Sequence, residues 1–312
     1  MTDVVVLGGG IIGLTAAVRL GAAGADVAVW SPVDPLGTVS AVAAAAWYPA
    51  RIAAESLPAP GASAGAANHR VLRWAAATYD EFTRQAAAGV PGVLLRPTRN
   101  LGAATELPWW APAAGEVTLA GGEVRFVAPL ADMTVYLPWL RSQVRYVRRG
   151  VDRLAEAFAA APVVVNATGL AARTLVPDRA VRPARGQIVL VANPGIETSV
   201  RVVGAPTTYV HPRGRDVVLG GTYELDAWST APDRATRDAI LARCRDLVPE
   251  LAAAPVLGDR VGLRPVRDGG PRVEAVPAEG GTIVHAYGHG GAGMTLSWGC
   301  ADEITRLCTR RP

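Results

Sequence analysis

Three glycines near the start of the chain have the spacing of a dinucleotide-binding turn. Gly8, Gly10 and Gly13 satisfy the pattern G-x-G-x-x-G, between an apolar run and an alanine-rich stretch. The first glycine permits a tight turn, the second lets the backbone approach a pyrophosphate, and the third allows close packing of helix on strand. Backbone N–H groups and the positive end of the helix would then hold the phosphates.

The acidic residue that commonly accompanies this turn is missing. NAD and FAD use the same turn, and an acidic residue at the end of the second strand often binds a ribose hydroxyl. After Trp30 the chain continues with Ser31, Pro32, Val33 and Asp34, so the expected position holds Ser or Pro. Either Asp34 or the backbone would have to replace the contact.

The glycine turn belongs to a predicted strand–helix–strand unit. Residues 3–8 are an apolar run typical of a buried parallel strand, a helix extends to about Ala23, and residues 26–30 predict a second strand. Pro138 stands where a helix reaching about residue 148 is expected to begin, and the last helix is predicted over 293–308. With strand-like sequence between, this order predicts an α/β protein of two interleaved domains.

The composition of the 312 residues excludes two common classes of enzyme. All 31 basic residues are arginine, so the chain has no lysine. A pyridoxal-phosphate enzyme needs a lysine for its Schiff base, and a Walker-A loop needs one for phosphate binding.

The charge pattern indicates neither nucleic-acid nor membrane binding. The net charge of +4 comes from scattered arginines, and no apolar run reaches the roughly 20 residues of a membrane helix.

The three cysteines, Cys244, Cys300 and Cys308, have no close pairing, which suits a reducing compartment, so we expect a cytoplasmic protein. His285 and His289 lie among glycines, so no metal site is expected. The sequence leaves open whether the protein forms a homodimer.

Two segments of the C-terminal third resemble the D-amino-acid oxidase family in order and spacing. They are Gly-Leu-Arg-Pro-Val-Arg at 262–267 and His-Ala-Tyr-Gly-His-Gly-Gly-Ala-Gly-Met-Thr at 285–295. Shorter matches occur at residues 43–47, 164–169, 185–188 and 219–221, so the resemblance spans roughly residues 3–308.

The resemblance implies a noncovalent FAD in an extended conformation, between the first glycine turn and the start of the last helix. The positive end of that helix would face the pyrimidine side of the flavin and favour its anionic reduced form. The cofactor-binding residues implied are Gly8, Gly10, Ile11, Ile12, Gly13, Thr38, Ser40, Ala45, Ala46, Trp47, Gly290, Gly291, Gly293, Met294 and Thr295.

The fold class implied is α/β, with a Rossmann-like FAD-binding domain and an interleaved substrate-binding domain. We expect the FAD-binding domain to consist of residues 1–50, 139–184 and 264–312. The discontinuous substrate-binding domain would consist of residues 51–138 and 185–263, on a mainly antiparallel β-sheet.

The resemblance also implies a substrate site for a D-amino acid. Arg264 would bind the α-carboxylate with two parallel hydrogen bonds, Tyr209 would donate a hydroxyl to it, and the Gly291 carbonyl would accept from the neutral amine. Hydride transfer from Cα to flavin N5 then needs orientation and electrostatics, and we assign no side-chain general base. Oxygen reoxidises FAD, and the products are a 2-oxo acid, ammonia and hydrogen peroxide.

The substrate side chain is less well defined. Some family members carry a lid tyrosine where this chain has Ala205, so we expect a short or absent lid and product release that is not limited by it. D-aspartate oxidases of the family bind a second carboxylate with a basic residue, and Arg201 or His211 could do so here. We favour neutral D-amino acids. A glycine- or sarcosine-type flavin amine oxidase, an NAD-linked dehydrogenase and a regulatory flavin-binding protein are the competing interpretations.

Overall fold

The computed structural model describes residues 2–49 and 64–309 of the 312-residue chain. Part of the predicted substrate-binding range, residues 51–63, lies outside the described residues. The helices are α1 (Ile11–Ala22), α2 (Ala64–Ala87), α3 (Met133–Ser142), α4 (Ala172–Leu175), α5 (Arg234–Leu247) and α6 (Gly293–Thr309). The strands are β1 (Val4–Leu7), β2 (Val27–Ser31), β3 (Val93–Leu101), β4 (Thr118–Ala120), β5 (Glu123–Ala131), β6 (Arg145–Arg148), β7 (Val163–Asn166), β8 (Val181–Ala192), β9 (Ser199–Val202), β10 (Thr208–Pro212), β11 (Asp216–Gly220), β12 (Glu224–Leu225), β13 (Val256–Arg267), β14 (Arg272–Ala278) and β15 (Gly281–Tyr287).

The first sheet is mostly parallel and carries the glycine turn. Its six strands have the order β14-β15-β7-β1-β2-β6, and only the β14–β15 pair is antiparallel. All four residues of β1 are buried, as expected for a central parallel strand covered on both faces. The carboxyl ends of β1, β2, β6, β7 and β15 therefore meet at one edge of this sheet.

The second sheet is mainly antiparallel, as the sequence predicts. It has nine strands in the order β12-β8-β11-β10-β9-β3-β5-β4, with β13 paired to β8. The long pair β8–β13 is antiparallel from Val181–Arg267 to Val191–Val256, and only β3–β9 is parallel. The chain crosses repeatedly between the sheets, which makes this an α/β fold with interleaved parts.

Helix α6 packs against α1, which starts at the glycine turn, and against α2. At the α2–α6 crossing, a Cβ added to Gly299 would overlap the backbone of Trp74, so the close approach requires glycine. Within the described residues, no helix has the length and apolar character needed to cross a bilayer.

The prediction of a helix from Pro138 to about residue 148 is wrong. Helix α3 starts earlier, because the Asp132 carboxylate accepts a hydrogen bond from the Thr134 N–H at 3.0 Å and caps the helix. Pro138 lies inside α3, and the residues from Arg145 pair with β2 as the edge strand β6 instead.

Candidate functional site

A cavity of about 660 Å³ runs along the carboxyl edge of the parallel strands. Residues that directly follow five of these strands line it, namely Gly8, Pro32, Arg149, Ala167 and Gly288. Ligands of open α/β sheets bind at this edge. The strands of the second sheet close the other side of the cavity, so that both sheets contribute to a single site.

The glycine turn between β1 and α1 cannot accept larger residues. Gly8 has φ +120°, and a Cβ added there would overlap the carbonyl of Ala167. A Cβ on Gly13 would overlap the carbonyl of Gly8. Gly13 itself does not line the cavity, so its contribution is the close packing of α1 on the turn, as the motif predicts.

The N-terminal ends of two helices face the cavity. α1 begins at Ile11 and α6 begins at Gly293, and the first residues of both line the cavity wall. The Ile11 N–H donates to the Ser40 Oγ at 3.0 Å, so Ser40 is tied to the start of α1. Because unpaired N–H groups and the helix dipole favour negative charge, this part of the cavity suits an anion such as a pyrophosphate.

One of the two replacements for the missing acid, Asp34, lies outside the described cavity wall. Asp34 accepts a hydrogen bond from the Leu36 N–H at 3.1 Å and caps a short 3₁₀ turn, and it does not line the cavity. Ser31 does line the cavity, and its hydroxyl donates to the Val33 carbonyl at 2.9 Å.

Arg264 reaches the cavity by crossing a glycine on the neighbouring strand. It lies on β13, and a Cβ added to Gly186 of β8 would overlap its guanidinium group. Its Nη1 donates to the Thr222 carbonyl at 3.2 Å. The next arginine on the strand, Arg267, forms an ion pair with Asp178 at 2.8 Å. The two arginines therefore have different surroundings, and Arg264 is the one at the cavity.

The Tyr209 side chain also crosses a glycine on the neighbouring strand. It lies on β10 opposite Gly220 of β11, and a Cβ on Gly220 would overlap the tyrosine ring. Because β8 and β11 are neighbours, the Arg264 and Tyr209 side chains extend toward each other across two adjacent strands. Sequence reasoning missed Gly186 and Gly220, although a glycine inside a strand is a signal of a close approach.

Most of the predicted site residues line this one cavity. The predicted residues at the cavity wall are Gly8, Gly10, Ile11, Ile12, Thr38, Ser40, Ala45, Ala46, Tyr209, Arg264, Gly290, Gly291, Gly293, Met294 and Thr295. Besides Gly13, the exception is Trp47. Its Nε1 donates to the Ala75 carbonyl at 3.0 Å, and its ring packs edge-on against Tyr79 and Trp110 in the core.

The charge at the cavity wall is positive. Among the described residues that line it are three arginines, Arg149, Arg201 and Arg264, and no Asp or Glu. His289 also lines it, but burial, followed by the nearby Arg70, lowers the pKa of His289 to about 3. This histidine is therefore neutral at pH 7, and the arrangement suits an anionic ligand.

Arg201 lies beside Tyr209 in a partly aromatic setting. Its guanidinium carbon is 4.2 Å from the centre of the Tyr48 ring and 5.1 Å from that of Tyr209. Its Nη2 is 3.3 Å from Nε2 of His211, whose Nδ1 lies 2.6 Å from the Ser199 hydroxyl. His211 is buried and does not line the cavity, so of the two candidates for a second carboxylate only Arg201 is placed at the site.

Known proteins resemble the chain over nearly its whole length. The model of the FAD dependent oxidoreductase family matches residues 3–139 and 139–307. A D-amino-acid oxidase of Streptomyces coelicolor is 43% identical over 324 residues, covering 98% of this chain and 97% of that protein. A D-aspartate oxidase of Homo sapiens is 31% identical over 264 residues, covering 77% of each chain. The solved structure of a glycine oxidase from Bacillus cereus matches with a TM-score of 0.79 and 18% identity, covering 99% of this chain and 97% of that one, which shows the fold alone.

Proposed function

The chain belongs to the D-amino-acid oxidase family of FAD-dependent oxidoreductases, and from this premise we propose how its cavity binds cofactor and substrate. The protein oxidises D-amino acids with FAD as its cofactor. The observation that carries the binding proposal is the convergence of Arg264 and Tyr209, over two strand glycines, in the cavity that also contains the glycine turn.

The residues present fit FAD. The glycine turn lines the cavity with backbone instead of side chains, and the N-terminal ends of α1 and α6 favour the negative charge of a pyrophosphate. We assign the pyrophosphate to the residues around Gly10 and Ile11, and the flavin to those around Gly291 and Thr295. When bound, FAD supplies the acceptor for a hydride and passes the electrons to oxygen, which becomes hydrogen peroxide.

The substrate is held by its carboxylate and its amine. The Arg264 guanidinium offers two parallel N–H donors that match a carboxylate, and the Tyr209 hydroxyl supplies a third donor. The Gly291 carbonyl accepts from the amine. Contacts from three residues to two groups of the same carbon set which way its hydrogen points, and this is how the site distinguishes D- from L-amino acids.

No side chain of the cavity wall is needed as a base. The amine binds in its neutral form, and its lone pair assists as the Cα hydrogen leaves with both electrons. His289 is neutral at pH 7, and its Nε2 lies 3.4 Å from the Cys300 thiol, which can donate to it. The absence of Asp and Glu from the described cavity wall agrees with a mechanism of orientation and electrostatics.

Neutral D-amino acids are the proposed substrates, with acidic ones as the second candidate. The observation that favours D-aspartate is Arg201, which lines the cavity beside Tyr209 and could bind a second carboxylate. The argument against D-aspartate is that the guanidinium of Arg201 already faces the Tyr48 ring and Nε2 of His211.

Hydrogen peroxide release from matched panels of D- and L-amino acids tests this function. We expect peroxide with D-alanine and D-valine and none with their L-enantiomers, and an anaerobic addition of D-alanine should bleach the flavin absorbance completely. Turnover of D-aspartate faster than that of D-alanine would show that acidic D-amino acids are the preferred substrates. Turnover of glycine or sarcosine faster than that of D-alanine would indicate an amine oxidase. A protein that stays colourless and inert after addition of FAD would overturn the proposal.

The domain boundaries, a homodimer and a cytoplasmic location stay predictions from the sequence. We propose that the six-stranded sheet with α1 and α6 is the FAD-binding domain, since the glycine turn and both helix ends belong to it. The nine-stranded sheet, which carries Tyr209 and Gly186, would be the substrate-binding domain.

A further inference from the structure

At the cavity end formed by β2 and β6, the usual acidic residue at the end of β2 is missing, and an arginine that follows β6 lines the wall. Trp30, Ser31 and Arg149 all line this end. The carboxyl ends of β2 and β6 meet here, with Ser31 paired to Arg148 and the Arg149 N–H donating to the Ser31 carbonyl at 2.9 Å. The backbone bond fixes where the Arg149 side chain starts.

The Arg149 guanidinium lies over the Trp30 ring. Its central carbon is 4.2 Å from the centre of the Trp30 ring, within the range of a cation–π contact. Trp30 is 6% exposed and packs in the core beneath the arginine. The opposite face of the guanidinium has no ring against it among the described aromatic contacts, and Arg149 itself is exposed at the cavity.

We propose that Arg149, supported by Trp30, is the platform on which the adenine ring of FAD stacks. The chain would then hold the adenosine half by stacking on a planar cation rather than by a carboxylate bound to the ribose. This inference rests on the proposed function, because it takes FAD as the ligand of the cavity. An arginine plane binds a purine face well, since every base has a π-face and the guanidinium is planar and weakly hydrated.

Two observations distinguish stacking from phosphate binding by Arg149. We assign the pyrophosphate to the glycine turn and the start of α1, which follow β1, whereas Arg149 follows β6. A cation that only neutralised phosphate would also not need a buried ring under it. Asp34, the nearest acidic residue in sequence, is engaged with Leu36 and does not line the cavity.

The affinities of the apoprotein for FAD and for FMN test the proposal, because FMN lacks the adenosine half. We expect Arg149→Ala to raise the Kd for FAD by about five- to thirtyfold and to leave the Kd for FMN unchanged. Arg149→Tyr, which keeps a flat ring and removes the charge, should retain most of the FAD affinity, whereas Arg149→Lys should lose much of it. Quenching of flavin fluorescence during titration gives each Kd without any turnover.

Arg148→Ala is the matched control, since Arg148 is exposed, adjacent and absent from the described cavity wall. Its Kd for FAD should equal that of the unchanged protein. If Arg149→Lys retains FAD and Arg149→Tyr loses it, Arg149 acts as a charge and the stacking proposal is wrong. An unchanged FAD-to-FMN ratio in Arg149→Ala also overturns it, while bleaching of the bound flavin by D-alanine in the same samples would show that the proposed function still stands.

Discussion

Arg264 is the residue on which substrate binding depends most, and its fork of donors is what a lysine cannot reproduce. Arg264→Lys keeps the positive charge but replaces two parallel hydrogen bonds by one. We expect kcat/KM for D-alanine to fall by roughly 10- to 100-fold, mainly through KM, since a charged hydrogen bond contributes about 1.5–3 kcal/mol. Initial rates of peroxide release measure this, with Arg260→Lys on the exposed side of the same strand as the control. Undiminished kcat/KM would mean that the carboxylate binds elsewhere.

Gly186 should control Arg264 without touching the substrate. In Gly186→Ala the new Cβ would overlap the guanidinium, so Arg264 has to leave its position over β8. We expect an increase of KM by about tenfold or more, because a misplaced anchor can cost as much as a missing one. The carboxylate contact is then already lost, so adding Arg264→Lys to Gly186→Ala should have a smaller effect than in the unchanged protein.

Two comparisons separate this positioning role from general damage to the fold. Gly21→Ala places a Cβ in open space on helix α1 and should leave both KM and the melting temperature nearly unchanged or slightly improve stability. Strictly additive effects of Gly186→Ala and Arg264→Lys would show that Gly186 acts independently of the arginine.

At the residue scale, residues that belong to a local sequence motif could be predicted. Residues whose role depends on a side chain from a neighbouring strand could not. Gly8 and Gly10 were predictable because a tight turn beside a phosphate requires glycine. Gly186 was not, because its requirement comes from a side chain 78 positions later on β13 that crosses it only in the folded sheet. Trp47 was predicted at the flavin from a short matching segment, but its ring lies in the aromatic core.

At the element scale, the connection between β9 and β10 determines how the cavity opens. It consists of residues 203–207, and the Arg243 guanidinium donates to the carbonyls of Thr207 at 3.3 Å and Gly221 at 2.8 Å. A connection this short and tied to helix α5 is a poor lid. We therefore expect product release not to limit turnover, so that kcat matches the slower of flavin reduction and reoxidation in stopped-flow traces. Fast reduction followed by a slow release phase would contradict this.

Elements were predicted best where their signals are local and strong. Helix α1 ends at Ala22 and helix α6 begins at Gly293, close to the predicted bounds, because glycines mark where each helix meets its turn. Helix α3 was misplaced because Pro138 suggested a first turn, whereas the capping signal of Asp132 lies six residues earlier. Burial of Tyr136 and Leu140 stabilises the helix despite the hydrogen bond that Pro138 cannot make.

At the scale of the whole molecule, the site exists only because two sheets are interleaved. The glycine turn comes from the first sheet, and Tyr209 and Gly186 come from the second. The order of predicted elements indicated this interleaving, since doubly wound elements occur at both ends of the chain. Strand order and register were not predictable from one sequence, because a pairing such as β3 with β9 depends on contacts that are far apart in the chain.

The whole molecule should also lose stability in mild acid through its buried histidines. Burial, followed by Arg272, lowers the pKa of His285 to about 4, and burial lowers the pKa of His289 to about 3 and that of His211 well below its ordinary value. The unfolded chain takes up these protons near pH 6.5, while the folded chain does not. Between pH 6.5 and about 5 the unfolded state therefore binds more protons, and stability falls as the pH falls.

Each of these histidines can contribute at most about 2 kcal/mol of this loss at pH 5, since the window from 6.5 covers about 1.5 pH units. We expect the melting temperature to decrease from pH 7 to pH 5, and the decrease to be a few °C smaller in His289→Gln, which cannot titrate. His69→Gln is the control, because His69 is exposed. Above pH 5 most carboxylates stay ionised, so the histidines dominate the slope, and an identical slope in His289→Gln would show that His289 does not contribute to it.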